Sequence, residues 1–496
     1  MTMNRNIWKK FFIKETIAES AIIVMVFQFL LRGLGIIRGI VFARALGPFE
    51  YGIYSLALVL VNMLIPIVTL GVPSSFSRYI PYYESKGALE FFIKRTYLFM
   101  AVLSIIWMFL FIFLSRDIAR FVFHSDDCQE IVILSGFHIP LMVFTIALES
   151  TFIGLRIFKI SSFIRAVEIS LGALFGIIAV CIIAKSSFSA LLSQIIASFV
   201  VVGVFVFLLT KYLRLQRKSG NFSEYSEDKF LRKLFRFSIW FLFISVMQYL
   251  FKYTDRWMLN FLLGEKGLEA VGVYTVGSRI AGILFMTGAA ASRVLTPNLS
   301  AMWEASKQDE VFDTLNISIK ICSLSLFYLA VPIVIFKEVI ISWLFGLSYI
   351  KSIEIIPYLC VFAILNVLGW VLGSFSLVIE KPQINFVYSL IGVLMNIFLN
   401  YNLIKIWGMK GAAVSTMLSY WISLMCLTIW LKKQGLTLPA MTIVTASLPF
   451  LLLLNTVGII AGIVLVMLLL HTTGLILDKN EKQRIKTKVL VFIRRF

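Results

Sequence analysis

The sequence predicts an all-α polytopic membrane protein of about fourteen transmembrane helices, and three observations lead there. Of its 496 residues 60% are hydrophobic and only 15% charged, against roughly 25% charged in ordinary soluble domains. Apolar stretches of about 17–25 residues recur along the chain, each long enough to cross a hydrocarbon core of about 30 Å as a helix. Alternating ten-residue strands are absent, so a closed β-barrel, the other way to satisfy every backbone group in lipid, is unsupported.

Taken in order, the apolar spans cover residues 21–42, 51–72, 97–114, 131–153, 163–184 and 188–210, then 237–263, 271–295, 317–336, 355–379, 384–403 and 411–431. Two more, 441–455 and 457–477, close the series as a hairpin. This divides the chain into an N-terminal cytoplasmic or interfacial segment (1–20), a six-helix N-lobe (21–210), a basic cytoplasmic linker (211–236), a six-helix C-lobe (237–431), a helix pair (432–477) and a basic cytoplasmic tail (478–496). The stretch from Ile7 to Lys14 interleaves aromatics with lysines, as an interfacial helix does. Pro66, Pro73, Pro140, Pro332 and Pro357 are expected to kink helices.

The net charge of +20 records topology. Basic residues are not gathered into one patch with interleaved aromatics, so nucleic acid is not an expected partner. Of the 46 Lys and Arg, roughly 28 fall on the side of the N-terminus and about 9 on the other, which by the positive-inside rule puts both termini in the cytoplasm of a cell-membrane protein. Lys211 to Arg236 and the tail after Asp478 are the richest segments, suited to anionic headgroups. The five cysteines lie apart, mostly in apolar segments, and read as small core residues. Neither they nor His124, His138 and His471 have metal-ligand spacing, and no phosphate-cradling GxxxxGK[ST] loop occurs. No cofactor is expected.

An internal repeat organises the two lobes. Gly52-Ile53-Tyr54 resembles Gly272-Val273-Tyr274, Lys159 falls opposite Lys381, and Ser189-Ala190 opens the sixth span as Gly411-Ala412 opens the twelfth. All three matches share an offset of roughly 220 residues. Six helices separate the copies, so both halves enter the membrane in the same direction, a parallel pseudo-twofold repeat of the kind alternating-access transporters use.

Charges inside the spans are the functional pointers, because each costs something like 2.5–3.5 kcal/mol at mid-bilayer and such groups face a bundle interior or a wet cavity. The first span carries Arg32 and Arg38, about 120° apart on a regular helix. They address one cavity if it is wide or if Gly33, Gly35 and Gly39 let the helix bend. The alternative is snorkelling to an interface. The seventh span carries Lys252, Asp255 and Arg256, where Asp255 can neutralise Lys252 one turn away or meet Arg38 across the lobes, since Asp255 and Arg38 each stand nine residues before a matching glycine, Gly264 and Gly47. Arg279, deep in the eighth span with no acidic residue within a turn, is the best single candidate for an anion ligand. Glu149 and Glu168 could bind a coupling cation, although Arg156 and Arg165 stand near enough to compensate them.

With the arginine segment and the repeat in view, the chain resembles the O-antigen-type polysaccharide-biosynthesis flippases of the multidrug, oligosaccharidyl-lipid and polysaccharide exporter superfamily. The resemblance runs through Arg32-Gly33-Leu34-Gly35-Ile36-Ile37-Arg38, Ala43-Arg44-Ala45-Leu46-Gly47, Tyr51-Gly52-Ile53-Tyr54, Ser278-Arg279-Ile280, Leu295-Thr296-Pro297-Asn298, Glu380-Lys381-Pro382 and Gly408-Met409-Lys410-Gly411. It implies a carrier of polyprenyl-diphosphate-linked oligosaccharides, working by alternating access beside glycosyltransferases or a polymerase of the same pathway. By resemblance to lipid II flippases, Arg32, Arg38 and Arg279 would line a cationic cavity for the lipid diphosphate. The second span departs from those relatives: its membrane part holds no arginine and Arg78 lies near its cytoplasmic end, which favours O-antigen, capsule or teichuronic cargo over peptidoglycan precursor. The sequence does not name a coupling ion.

Two other readings compete. A cation-coupled multidrug antiporter of the same superfamily is expected to carry an acidic, not an arginine-bearing, N-lobe cavity. A membrane glycosyltransferase or polymerase acting on lipid-linked sugars needs an external catalytic loop. Here the external loops are short, and Asp126-Asp127 reads as a solvated turn.

Overall fold

The computed structural model describes residues 17–216, 227–381 and 383–468. Sixteen helices make up nearly all of it: α1 Ile17–Thr69, α2 Phe76–Ser85, α3 Leu89–Phe113, α4 Ser115–Phe123, α5 Gln129–Gly154, α6 Phe158–Ile178, α7 Ser187–Gln216, α8 Glu227–Leu263, α9 Gly267–Ala281, α10 Phe285–Glu304, α11 Gln308–Ile335, α12 Lys337–Leu344, α13 Ile356–Val378, α14 Gln383–Lys433, α15 Ala440–Ser447 and α16 Thr456–Leu468. No strand occurs among the described residues.

Nine stretches are long and apolar enough to cross a membrane among the described residues. Three of them turn back on themselves and so hold two spans each. In α1 the helical backbone breaks at Gly47, whose φ of 73° favours glycine. The rings of Phe42 and Tyr54 consequently lie 5.4 Å apart, where a straight helix would separate them by about 18 Å. Gly264 reverses the chain between α8 and α9, and Gly408 does so within α14. After α14 comes a shorter apolar stretch, Ala440–Leu453, and then α16, whose expected continuation to residue 477 lies outside the described residues. The segment from Ile7 to Lys14, the middle of the 211–236 linker and the basic tail lie outside them too.

The chain divides into two compact units, Met1–Thr275 and Val276–Phe496, with the division inside α9. Within the first, α1 packs on α5, α6 and α8, and α5 packs on α3 and α7. Within the second, α13 is buried on almost every face, enclosed by α10, α11, α14 and the 3-10 turn Leu448–Leu453. Its all-round apolar sequence suits that central position.

Left-handed backbone positions recur at a spacing of roughly 220 residues: Gly47 and Gly264, Gly87 and Ser306, His124 and Gly346, Arg156 and Glu380. The helix ends they form match bond for bond. After α5, Arg156 N donates to Ile153 O and Ile157 N to Phe152 O. After α13, Glu380 N donates to Leu377 O and Lys381 N to Ser376 O. Both are reverse-turn C-caps that satisfy the last free carbonyls of a helix. The short helices α4 and α12 follow the third and ninth spans in the same register.

Several expectations need correction. Helical φ/ψ persists through Gly33, Gly35 and Gly39, and α1 leaves the helical region only at Gly47, because in the middle of a span a break would strand backbone groups in hydrocarbon. Pro66, Pro140 and Pro332 lie inside helices, whereas Pro73 opens a 3-10 turn and Pro357 stands in the first turn of α13, where no amide donor is needed. Cys181 is exposed on the apolar surface, not core.

Candidate functional site

The first unit holds a column of charged and polar groups inside apolar helices. Arg38, half-buried on α1, donates from Nη1 to Oε1 of Gln194 on α7 at 2.7 Å. Glycines on α6 make the room. A Cβ on Gly172 would lie 2.7 Å from Gln194 Oε1 and 3.2 Å from Arg38 Nη1, and one on Gly176 would strike the ring of Phe42. Arg38 and Phe42, one turn apart on α1, are thus seated by two glycines one turn apart on α6.

One turn along α6 from Gly172 stands Glu168, whose side chain is only 5% exposed. It lies within electrostatic reach of Arg38 and Arg165, and its Oε2 is 3.7 Å from Arg165. Arg165 also reaches Glu149 on α5 at 2.9 Å. The partner of Glu149 is therefore Arg165 on the adjacent helix; Arg156, the sequence neighbour, forms the left-handed C-cap of α5 instead. Two arginines and two carboxylates cancel in formal charge, the condition under which ionised groups persist in a membrane interior. Tyr249 of α8 lies within electrostatic reach of Arg165 and Glu149.

Further along α8, Asp255 is buried and accepts a hydrogen bond from the Tyr274 hydroxyl at 2.7 Å. Arg256 donates from Nε to Thr275 Oγ1 at 3.2 Å. Lys252 is exposed and lies over the Tyr253 ring, with no ion pair to it among the described residues. An ion pair between Lys252 and Asp255, one of the two arrangements the spacing allows, is not seen among the described residues.

Arg279 lies near the end of α9, within the second unit, and is half-buried. Its neighbour Gly277 lies against Ile355, which a Cβ would meet at 2.7 Å. Arg32 is on α1, but its side chain is outside the described residues. Sequence reasoning overlooked Gln194, Tyr249 and Lys320, the last only 5% exposed in α11. A polar residue interrupting an apolar span was the available signal for each. Among the described residues no three metal-ligating side chains gather into a site.

Asp126 accepts from Arg120 at 2.6 and 2.9 Å, so the acidic pair 126–127 begins as a paired surface turn. Asn260 of α8 donates to Val122 O at 2.6 Å and so ties the end of α4 down.

Known proteins share this architecture. The lipid II flippase MurJ in an inward closed conformation superposes with a TM-score of 0.71 over 90% of this chain and 97% of its own, at 16% identity. An inward-facing multidrug resistance MATE family transporter of the MOP superfamily gives 0.66 over 84% and 98%, at 14% identity. These likenesses establish the fold. In sequence, the chain is 22% identical over 404 residues to an uncharacterized membrane protein of Methanocaldococcus jannaschii, covering 77% of each. It is 24% identical over 386 residues to a Shigella flexneri protein described as an O-antigen transporter, covering 75% of this chain and 87% of that one. A Haloferax volcanii protein described as a low-salt glycan biosynthesis flippase is 24% identical over 189 residues, 38% of this chain and 39% of its own. The sequence profile of polysaccharide biosynthesis proteins matches residues 17–303, more than half of the chain and the whole of the charge column. With that match, the chain belongs to the polysaccharide biosynthesis protein family, on a fold shared with the MOP superfamily.

Proposed function

We propose that this protein is a flippase that moves a polyprenyl-diphosphate-linked oligosaccharide from the cytoplasmic to the outer leaflet by alternating access, for cell-surface glycan assembly. The observation that carries it is Arg38, an arginine held at 2.7 Å by Gln194 inside an apolar helix bundle, in a family whose relatives are described as glycan flippases and O-antigen transporters. A glycan diphosphate crossing hydrocarbon unaided would leave many polar groups unsatisfied, at several kcal/mol each. Guanidinium groups remove that barrier by clamping phosphate oxygens in pairs. Arg32, Arg38 and Arg279 are the proposed phosphate ligands. A negative cell interior favours export of the anion by about 2.3 kcal/mol per charge per 100 mV.

The same reading places the protein in the plasma membrane with both termini cytoplasmic, supplied by glycosyltransferases and drained by a polymerase or transferase outside. Glu149 and Glu168 are the proposed acidic groups for any coupling cation. The test is reconstitution in liposomes with a fluorescent polyprenyl-diphosphate oligosaccharide. Wild type should deliver it to the outer leaflet, while Arg38→Ala and Arg279→Ala should each slow delivery at least about tenfold, the loss of one charge-assisted contact. Equal rates for all three would remove the site assignment, and no transport of any lipid-linked glycan would remove the function.

A further inference from the structure

One face of α8 sets two cations against a pair of stacked aromatic rings. Gln248, Lys252 and Arg256 follow one another at four-residue steps, so they form a polar stripe along the helix. Beside it, at the same spacing, Tyr249 and Tyr253 stack with centroids 5.9 Å apart and planes inclined by 19°. The Lys252 ammonium lies 4.9 Å from the Tyr253 centroid and the Arg256 guanidinium 5.6 Å from it, both inside the range of cation–π attraction. Gln248 and Lys252 are exposed, and the two tyrosines and Arg256 are half-buried.

Depth makes this unusual. Lys252 stands eleven residues before Leu263, the end of α8, which is roughly 16 Å along the axis and close to mid-bilayer. A lysine stem reaches about 6 Å, too little to bring its ammonium to a headgroup by snorkelling. An exposed lysine at that depth needs water beside it. Water that reaches Lys252 would also reach the half-buried stacked tyrosines beside it.

Sugars have the matching chemistry. A pyranose presents a face of polarised C–H bonds that lies flat on an electron-rich ring, and a carboxylate or phosphate on that sugar would meet two cations at the ring's rim. We propose that Tyr253, with Tyr249 stacked behind it and Lys252 and Arg256 at its edge, is a subsite for an acidic sugar of the transported glycan. This rests on the flippase reading but is separate from the arginines assigned to the diphosphate. Arg256 is steadied by Thr275, whereas Lys252 can swing onto the cargo's oxyanion. Tyr249, within reach of Arg165, links the subsite to the charge column.

The experiment uses the full chain in proteoliposomes with three polyprenyl-diphosphate cargoes: neutral, carrying one uronate, and carrying one phosphosugar. Wild type should prefer the anionic cargoes about fivefold, a modest gain for an exposed ion pair. Lys252→Gln should abolish the preference and Lys252→Arg keep it. Tyr253→Leu should slow all three about tenfold and Tyr253→Phe leave them near wild type, as for a stacking platform. The responses to uronate and phosphosugar say which oxyanion is read. If Lys252→Gln and Tyr253→Leu match wild type in rate and preference, the subsite is wrong while the flippase stands. If wild type moves no cargo, the flippase reading fails, and binding of a soluble glucuronate-containing tetrasaccharide to the detergent-purified chain decides instead: loss in both variants upholds the subsite, equal or no binding overturns it. Should Tyr253→Leu fail to fold, Lys252→Gln at its exposed position carries the test alone.

Discussion

Gly52 and Gly272 are packed into each other reciprocally. A Cβ on Gly52 would collide with the carbonyl of Leu268, and one on Gly272 with the carbonyl of Pro48, in each case the residue four positions before the facing glycine. The same two constructed atoms would lie 3.2 and 3.1 Å from the amide nitrogens of Gly272 and Gly52. Such exchange symmetry is what a local two-fold axis produces where two equivalent segments cross. The Gly-Ile-Tyr and Gly-Val-Tyr triplets that marked the repeat are therefore also its point of self-contact, inside the first unit. Backbone, not a flexible side chain, is what each new methyl would meet, so Gly52→Ala and Gly272→Ala should each destabilise by about 2–3 kcal/mol, the upper part of the range for overpacking. Because either methyl forces the same separation, the double variant should cost clearly less than the sum. Thermal unfolding of the detergent-purified protein measures this, and additive losses would mean that the two sites do not share one crossing.

Gly172 supports function in a different way. Its missing side chain leaves space for the Arg38–Gln194 hydrogen bond, and a methyl there would press on both partners. Here the neighbours are side-chain ends that can swing aside. Gly172→Ala should then cost little stability, about 1 kcal/mol or less given its better helix propensity, while displacing Arg38. Transport should fall by about tenfold if that hydrogen bond positions Arg38 for phosphate. Liposome flux at matched protein levels separates the outcomes: flux as in wild type would show that Arg38 needs no fixed orientation.

How far the sequence could be read depended on what kind of signal each feature left. The spans announce themselves because water and hydrocarbon sort side chains over twenty residues at a time, and the family followed from patterns around Arg32, Arg38 and Arg279. The repeat was visible only in a few triplets because its backbone signature is carried by unlike residues. Gly87 corresponds to Ser306 and Gly346 to His124, so one copy shows the glycine a left-handed turn favours and the other tolerates the strain. Charge pairing was the least legible. Glu149 has Arg156 nearby in sequence, yet Arg165 on the next helix is its partner, because a helix end directs side chains at the neighbour it packs on, which no single-chain spacing encodes. Asp255 likewise accepts a hydrogen bond from Tyr274, a residue that only the fold brings near.

Arg165 bridges two carboxylates of unequal burial, and its removal has a definite sign. In Arg165→Gln, Glu149 and the almost fully buried Glu168 would face each other without a cation between them. Breaking a buried pair costs about 3–5 kcal/mol, less where, as here, the arginine keeps 40% of its exposure; about 2 kcal/mol is expected. Glu168→Gln in the same chain removes the stranded charge and should restore most of that loss. Unfolding midpoints of the single and double variants read it directly, and no recovery in the double variant would mean that Glu168 does not depend on Arg165.

The matched C-caps at Arg156 and Glu380 give a prediction in the opposite direction. Both residues hold a left-handed backbone, with φ of 62° and 56°, and an L side chain there costs roughly 1–2 kcal/mol relative to glycine. Glycine loses more chain entropy on folding, which returns part of that gain, so Arg156→Gly and Glu380→Gly should each stabilise by about 0.5–1 kcal/mol. Gly87→Ala, at a position with φ of 72° and no neighbour near its missing Cβ, should destabilise by a similar amount, since strain alone acts there. If all three follow these signs in thermal unfolding, the positive φ values mark shared turn geometry. If Arg156→Gly is destabilising, its side chain contributes more to the C-terminal end of α5 than its backbone strain takes away.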